Sequence, residues 1–302
     1  MKKNSVQISD SEKQNKNSAH PEASLIRTFF LGEPCLDMEK TLACGQCFRF
    51  ENRDGRMVGV VNRSLLVIQQ VPKGYEIEIY GEDLSDAFIR HYFDLDRDYG
   101  QLLMDLSLVD SHMQRAVAFG HGIRILNQNP FETLISFIIS SNNNIPKIKM
   151  SIEALAEKFG SPIGVYEGRV YYTFPAIDDL AEASEESLTV KAIGYRAKSV
   201  SLTSRAIVQG NLDLETPYGL DYASARTWLK QFYGVGDKVA DCILLFAYGK
   251  TEAFPVDTWV KKMLGELYDV HKDYEGFIRT YFTAFPGIAQ QYLFYYIRNL
   301  KN

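Results

Sequence analysis

Residues 221 to 260 read DYASARTWLKQFYGVGDKVADCILLFAYGKTEAFPVDTWV, and the fold is decided there. Ala223 to Gln231 has a helical pattern, with Trp228 and Phe232 four residues apart on its apolar side. Gly234-Val235-Gly236 interrupts it, because glycine accepts the positive φ that a tight turn between two helices needs. Val239, Cys242, Ile243 and Phe246 then recur at helical spacing, so a second helix starts near Asp237 and stops at Gly249. Pro255 and Asp257 precede another apolar-periodic run, with Asp257 placed to cap it. The stretch is helix, Gly-x-Gly hairpin, helix, short loop and Asp-capped helix.

A hairpin of this kind turns the backbone N–H groups around Gly234 and Gly236 outward at the positive end of the second helix, which suits a phosphate. Lys238 falls in the first turn, where the helix dipole disfavours an ammonium and burial would disfavour it further. A lysine starts near pKa ~10.4, and a site that lowers that value makes an amine nucleophile. Cys242 is one turn on and shares its face. A solvated lysine at a helix start is the ordinary alternative. A dinucleotide fingerprint is excluded, because a helix precedes Gly234 and Val239 stands where the third glycine belongs.

The ordered set GVGDKVADC, followed by PVD whose aspartate lies nineteen residues after the lysine, resembles the helix-hairpin-helix DNA glycosylases. Within them it is similar to the 8-oxoguanine DNA glycosylases of the lyase type. The resemblance starts at about Leu25 and covers nearly all the rest. It implies an α+β fold, a small antiparallel β-domain packed on a larger all-helical body.

The pattern agrees with that division. Residues 1–24 read as a disordered polar tail, 25–105 as the sheet domain and 106–302 as the helical domain. Short strands are expected at Met57–Val61, Leu65–Gln70 and Tyr75–Tyr80, separated by turn residues. Glu82–Phe93 is helical and runs into Asp94-Leu95-Asp96-Arg97-Asp98. An EF-hand fails there, because Tyr99 replaces the loop glycine and Asp105 the bidentate glutamate. Phe131–Ser140 and Ile145–Phe159 are helices joined by three asparagines, which are poor helix formers. Residues 160–177 suggest a hairpin without chemistry, and Gly194-Tyr195-Arg196 opens a helix to about Val208.

A net charge of −5 argues against a general nucleic-acid binder and leaves room only for a locally basic face. The longest apolar stretches, such as 242–248, are too short to span a bilayer, and no apolar segment follows Lys2 and Lys3. A cytoplasmic monomer, nucleoid-associated in a prokaryote, is expected. Cys44-Gly45-Gln46-Cys47 has the C-x-x-C form but no second close pair, so reduced thiols are expected. No cysteine follows Cys242, which excludes the iron–sulfur branch of the superfamily.

The resemblance assigns further roles. GQCFRF at 45–50 matches a run whose glycine senses the lesion: the Gly45 carbonyl accepts from N7–H of 8-oxoguanine, and guanine has no such proton. Two facing acceptors leave a buried group unpaired, at ~1–3 kcal/mol. By itself the run reads as a strand start with Phe48 and Phe50 on one face. In SSNNNI, Asn142 fills the hole left by the extruded base. Tyr195 wedges beside the estranged base and Arg196 contacts it, while Lys147 stands where animal-type enzymes have a second arginine. Gln290 reads the Watson–Crick edge, and Phe294 and Cys242 sandwich the base. Gly234 and Gly236 lie against the DNA backbone, and Trp259 replaces a histidine that touches it. Lys238 is the nucleophile, and Asp257 stabilises the charge developing on the sugar. No cofactor is required; a monovalent cation on the carbonyls of Lys230, Phe232 and Val235 is implied. The partner is duplex DNA containing 8-oxoguanine. The rivals are an alkylpurine glycosylase, which would need no lysine nucleophile, and a non-catalytic hairpin DNA-binding module.

Overall fold

The computed structural model describes residues 20–33 and 35–300. Strands β1 (Leu25–Leu31), β2 (Phe50–Arg53), β3 (Arg56–Val61), β4 (Ser64–Val71) and β5 (Gly74–Gly81) form one antiparallel sheet, ordered β1-β5-β4-β3-β2. Hairpins join β2 through β5, and β1 returns beside β5 with Phe29 opposite Ile77. β3 and β4 are nearly continuous apolar runs because both faces are covered. Met57, Leu66 and Ile68 share one core with α1 (Met38–Ala43) and α2 (Asp86–Tyr92). Val58, Val60, Leu65 and Val67 pack on the other side against Tyr171 and Ile163 of a hairpin, β6 (Pro162–Tyr166) and β7 (Arg169–Tyr172). Covering that second face is the role of the hairpin in 160–177.

The body is helical: α3 (Tyr99–Ser107), α4 (Ser111–Phe119), α5 (Pro130–Ser140), α6 (Ile145–Phe159), α7 (Ile177–Glu182), α8 (Glu185–Leu188) and α9 (Arg196–Val208). A 3-10 turn at Thr216–Gly219 leads to α10 (Tyr222–Leu229), α11 (Asp237–Ala247), α12 (Thr258–Tyr268), α13 (Tyr274–Tyr281) and α14 (Pro286–Leu300). One core runs through α3 to α14. α5 and α11 are buried almost all round, as apolar helices without a polar face must be. No helix among the described residues is long and apolar enough to cross a membrane.

Several expectations shift. α1 interrupts what reads as all-β sequence; Asp37 caps it by accepting from Lys40 N at 2.9 Å, and six residues are too few to show a period. Gly45 to Arg49 lie in the loop after α1, not in a strand, and Phe48 and Phe50 do not share a face: Phe48 joins the helical core and Phe50 the sheet core. α3, inside the span read as the sheet domain, packs in the helical core, while Leu126 of the helical span joins the sheet core. Residues 1–19 of the expected tail lie outside the described residues, and Ala23 N donates to the Val165 carbonyl of β6 at 2.8 Å. In the acidic run, Asp98 caps α3, while Asp94 and Asp96 pair with Arg97 and Arg90.

Candidate active site

The hairpin forms as its glycines require. Gly234 has φ +87, and a Cβ there would lie 2.8 Å from Ser199 Oγ, so both conformation and space demand glycine. Gly236 has an ordinary φ of −97, N-caps α11 and offers no side-chain cap, which leaves its first-turn N–H groups facing outward. Arg226 of α10 braces the hairpin from below: Nε donates to Asp241 Oδ1 at 2.9 Å, and Tyr222 OH donates to the same oxygen at 2.8 Å. Burial pushes the Asp241 carboxyl up to about 6, against the pull of Arg226. Lys230 Nζ pairs with Asp237 at 2.7 Å across the turn.

Lys238 is half-buried at the start of α11. Its Nζ lies 3.1 Å from Ser140 Oγ at the end of α5 and 5.2 Å over the Phe137 ring. Cys242, one turn on, is fully buried; burial pushes its thiol up to about 12, opposed by the charge of Lys238. It therefore serves as a soft, neutral wall. Asp257 caps α12 as expected, accepting from Val260 N at 2.8 Å. α14 supplies Gln290 and Phe294, and the loop after α1 supplies Gly45. All six residues line one cavity of about 50 Å³. A water occupies about 30 Å³ in the liquid, so this space holds a water or two and no purine. Gln290 is 4% exposed, and its Oε1 is buried with no hydrogen-bond partner. A larger cleft of about 690 Å³ lies on the other side of Lys238, lined by Arg226, Asp241, Lys261, Glu275 and Phe282. It contains none of the other five residues.

Gly45 has φ +90. A Cβ built there would sit 3.5 Å from Phe294 Cε1 and 3.7 Å from Ile145 Cδ1, ordinary contact distances. The cavity's neighbours are the triple-asparagine turn and the start of α9. Asn142 is exposed with φ +49, and Asn144 caps α6 through Lys147 N at 3.0 Å. Lys147 projects from the exposed first turn of α6. Tyr195 is 67% exposed, whereas Arg196 is 7% exposed. The Arg196 guanidinium donates to the Ser141 carbonyl at 2.6 and 2.8 Å, to Asn142 at 2.8 Å and to Ile193 at 3.2 Å. It thus ties the asparagine turn to α9. Trp259 is 46% exposed, two residues beyond Asp257. Ser140, Phe137 and Gln291 escaped the sequence reading, because nothing in their local pattern sets them apart from core.

The two cysteines of the C-x-x-C form are buried free thiols, with Cys44 Sγ on the Thr41 carbonyl and Cys47 Sγ on that of Leu42. Desolvation pushes Cys44 up to about 11 and Cys47 higher still.

Residues 28–134 match the 8-oxoguanine DNA glycosylase N-terminal domain, and residues 135–281 match the HhH-GPD superfamily of base excision DNA repair proteins. The chain belongs to the 8-oxoguanine DNA glycosylase family. A crystal structure of the Clostridium acetobutylicum 8-oxoguanine glycosylase/lyase, bound to duplex DNA with cytosine opposite 8-oxoguanine, superposes with a TM-score of 0.82. It is 38% identical, over 91% of this chain and 99% of that one. A probable N-glycosylase/DNA lyase of Methanothermobacter thermautotrophicus is 29% identical over 87% of this chain and 93% of its own length. The N-glycosylase/DNA lyase of Saccharomyces cerevisiae is 34% identical over 68% of this chain, and the match spans 58% of the yeast protein. Membership sets aside the non-catalytic rival, and the N-terminal domain match sets aside the alkylpurine one.

Proposed function

We propose that this glycosylase removes 8-oxoguanine from duplex DNA and then nicks the strand, with Lys238 as nucleophile and Asp257 as its electrostatic partner. Lys238 Nζ attacks C1′ as the C1′–N9 bond breaks; the base departs with the bonding pair and takes up a proton, and the amine gives up its own. The Asp257 carboxylate, fixed by Val260 N, faces the positive charge that builds on the sugar. Ring opening gives a Schiff base at C1′. Loss of a C2′ proton then expels the 3′ phosphate by β-elimination.

The observation that carries the reading is the buried, unpartnered Gln290 Oε1 beside Lys238. Such an orphan costs ~1–3 kcal/mol, and a Watson–Crick edge with N–H donors would satisfy it. Phe294 and the neutral Cys242 sandwich the base, and Gly45 presents its carbonyl to N7–H. Asn142 fills the vacated stack, Tyr195 wedges beside the orphaned base, and Lys147 addresses it, joined by Arg196 once its guanidinium releases the Ser141 and Asn142 carbonyls. Gly234 and Gly236 bring the hairpin to the backbone, and Trp259 lies against it. A monovalent cation fits the hairpin. The carbonyls of Lys230 and Val235 accept no hydrogen bond within the turn, and that of Phe232 accepts one, from Val235 N at 3.1 Å. The ion would offset phosphate repulsion there and takes no part in the bond changes.

The test is borohydride trapping on an 8-oxoguanine duplex. Wild type crosslinks, and Lys238→Gln binds without crosslinking or releasing base. Crosslinking by Lys238→Gln would remove Lys238 from the mechanism.

A further inference from the structure

The carbonyls on either side of Gly45 are both committed, and the one between them is not. Gln291 Nε2 donates to the Cys44 carbonyl at 2.9 Å, and Gln128 Nε2 donates to the Gln46 carbonyl at 2.8 Å. The Gln46 side chain secures the loop a third way. Its Nε2 donates to the carbonyls of Thr41 and Arg124, each at 2.8 Å, and its Oε1 accepts from Leu126 N at 2.9 Å. Gln46 is 0% exposed and Gln291 2%. No donor among the described residues reaches the Gly45 carbonyl. Gln291 also directly follows Gln290 on α14, so one hydrogen bond sets the spacing between the Gly45 peptide and the side chain across the cavity.

We infer that Gln291 and Gln128 are positioning residues for lesion discrimination: they fix the peptides flanking Gly45 so that its carbonyl alone is left to test the base. The inference rests on the proposed role of Gly45. Its physical basis is that a single hydrogen can be read only by an acceptor that cannot turn away. If the loop rotates, the carbonyl loses N7–H of 8-oxoguanine and escapes the lone pair of guanine, so discrimination falls from both sides. A residue that served only to hold the core would lower stability, or affinity for both duplexes, and leave their ratio alone.

The experiment measures dissociation constants by fluorescence anisotropy in the Lys238→Gln background, which binds without turnover. The duplexes carry 8-oxoguanine or guanine opposite cytosine, and the readout is the ratio of the two constants. Gln291→Met keeps the length and removes the donor, and should cut the ratio about tenfold, the equivalent of one buried hydrogen bond at ~1.4 kcal/mol. Gln128→Met should cut it in the same direction, and decides the matter alone if Gln291→Met does not fold. Gly45→Ala is the control for the underlying reading. If Gly45→Ala collapses the ratio and both methionine variants keep it, the positioning role is overturned. Equal weakening toward both duplexes overturns it too. If Gly45→Ala itself keeps the ratio, the fault lies with the role of Gly45.

Discussion

The two hairpin glycines serve different purposes, and alanine should separate them. At Gly234, φ of +87 costs an alanine about 1–2 kcal/mol. The added Cβ would stand 2.8 Å from Ser199 Oγ and 3.0 Å from Ser199 Cβ, so α9 must move; overpacking of that kind adds about 1–3 kcal/mol. Gly234→Ala should therefore lose about 2–5 kcal/mol of stability. At Gly236 φ is −97 and nothing lies within 4 Å of a built Cβ. The loss of a good N-cap residue and the lower entropy of the unfolded chain roughly cancel, leaving a change within ~0.5 kcal/mol. The new methyl would nevertheless stand where a phosphate approaches the first-turn N–H groups. Gly236→Ala should weaken binding to an 8-oxoguanine duplex roughly tenfold, the loss of about one charge-assisted hydrogen bond. Urea unfolding and anisotropy on the two variants decide it. Wild-type affinity in Gly236→Ala would refute the phosphate role, and wild-type stability in Gly234→Ala would refute the packing argument.

Other outcomes follow from the same geometry. Asp257→Asn can still accept from Val260 N and cap α12, so stability should hold while base release slows on the order of a hundredfold; undiminished excision removes the charge-stabilising role. The Asp241 carboxyl has a folded pKa of about 6 against 3.8 when exposed, so its stabilising contribution is fully present below about 3.8 and is lost as pH rises through about 6. A shift of about two units is worth roughly 3 kcal/mol, and the stability of wild type relative to Asp241→Asn should fall by up to that amount between pH 4 and 7. A flat difference would show that Arg226 and Tyr222 offset the burial completely. Lys147→Arg should steepen the preference for cytosine opposite the lesion about five- to tenfold, because a planar fork replaces a mobile point charge. Single-turnover excision on four duplexes differing in the opposite base measures it, and an unchanged profile excludes position 147 from that contact.

How much of this was legible depended on whether the cause was local. α6 begins and ends where its period and the three asparagines before it said, and the hairpin glycines, the start of α11 and the Asp257 cap were equally readable. Each is set by residues within one or two turns. α1 was not readable, because six residues cannot establish a period inside a segment rich in strand formers. Phe48 and Phe50 were misplaced for a related reason: alternation reports two faces only if the chain is extended, and the chain bends at Gly45 to Arg49 before β2 starts. The six residues that line one cavity were named together in advance, Lys238, Cys242 and Asp257 through the ordered motif and its spacing, and Gly45, Gln290 and Phe294 only through the resemblance. Their supports were not. Ser140 lies 98 residues from Lys238, and Gln291 lies 247 from Cys44. Hydrogen bonds over such separations leave no trace in periodicity or composition.

Those supports divide the site into a fixed part and a yielding part. Lys238 rests on Ser140, Asp257 on Val260 N, and the Gly45 loop on three glutamine side chains, so the groups proposed to react and to test the lesion are already held in place. Phe294 is only half-buried, with Arg298 6.0 Å over its ring, and Tyr195 and Trp259 are exposed. Since about 50 Å³ does not admit a purine, some wall must move when the base enters. The cheapest movement is rotation of Phe294, whose contacts are partly with solvent; displacing Gly45 would break buried hydrogen bonds at ~1–3 kcal/mol each. A base that enters therefore meets an unmoved carbonyl and an unmoved amine, and pays for entry at the ring that will stack on it. Selectivity and catalysis then draw on the same rigidity, which is why a substitution at Gln291, remote from the bond that breaks, is expected to alter which base is chosen.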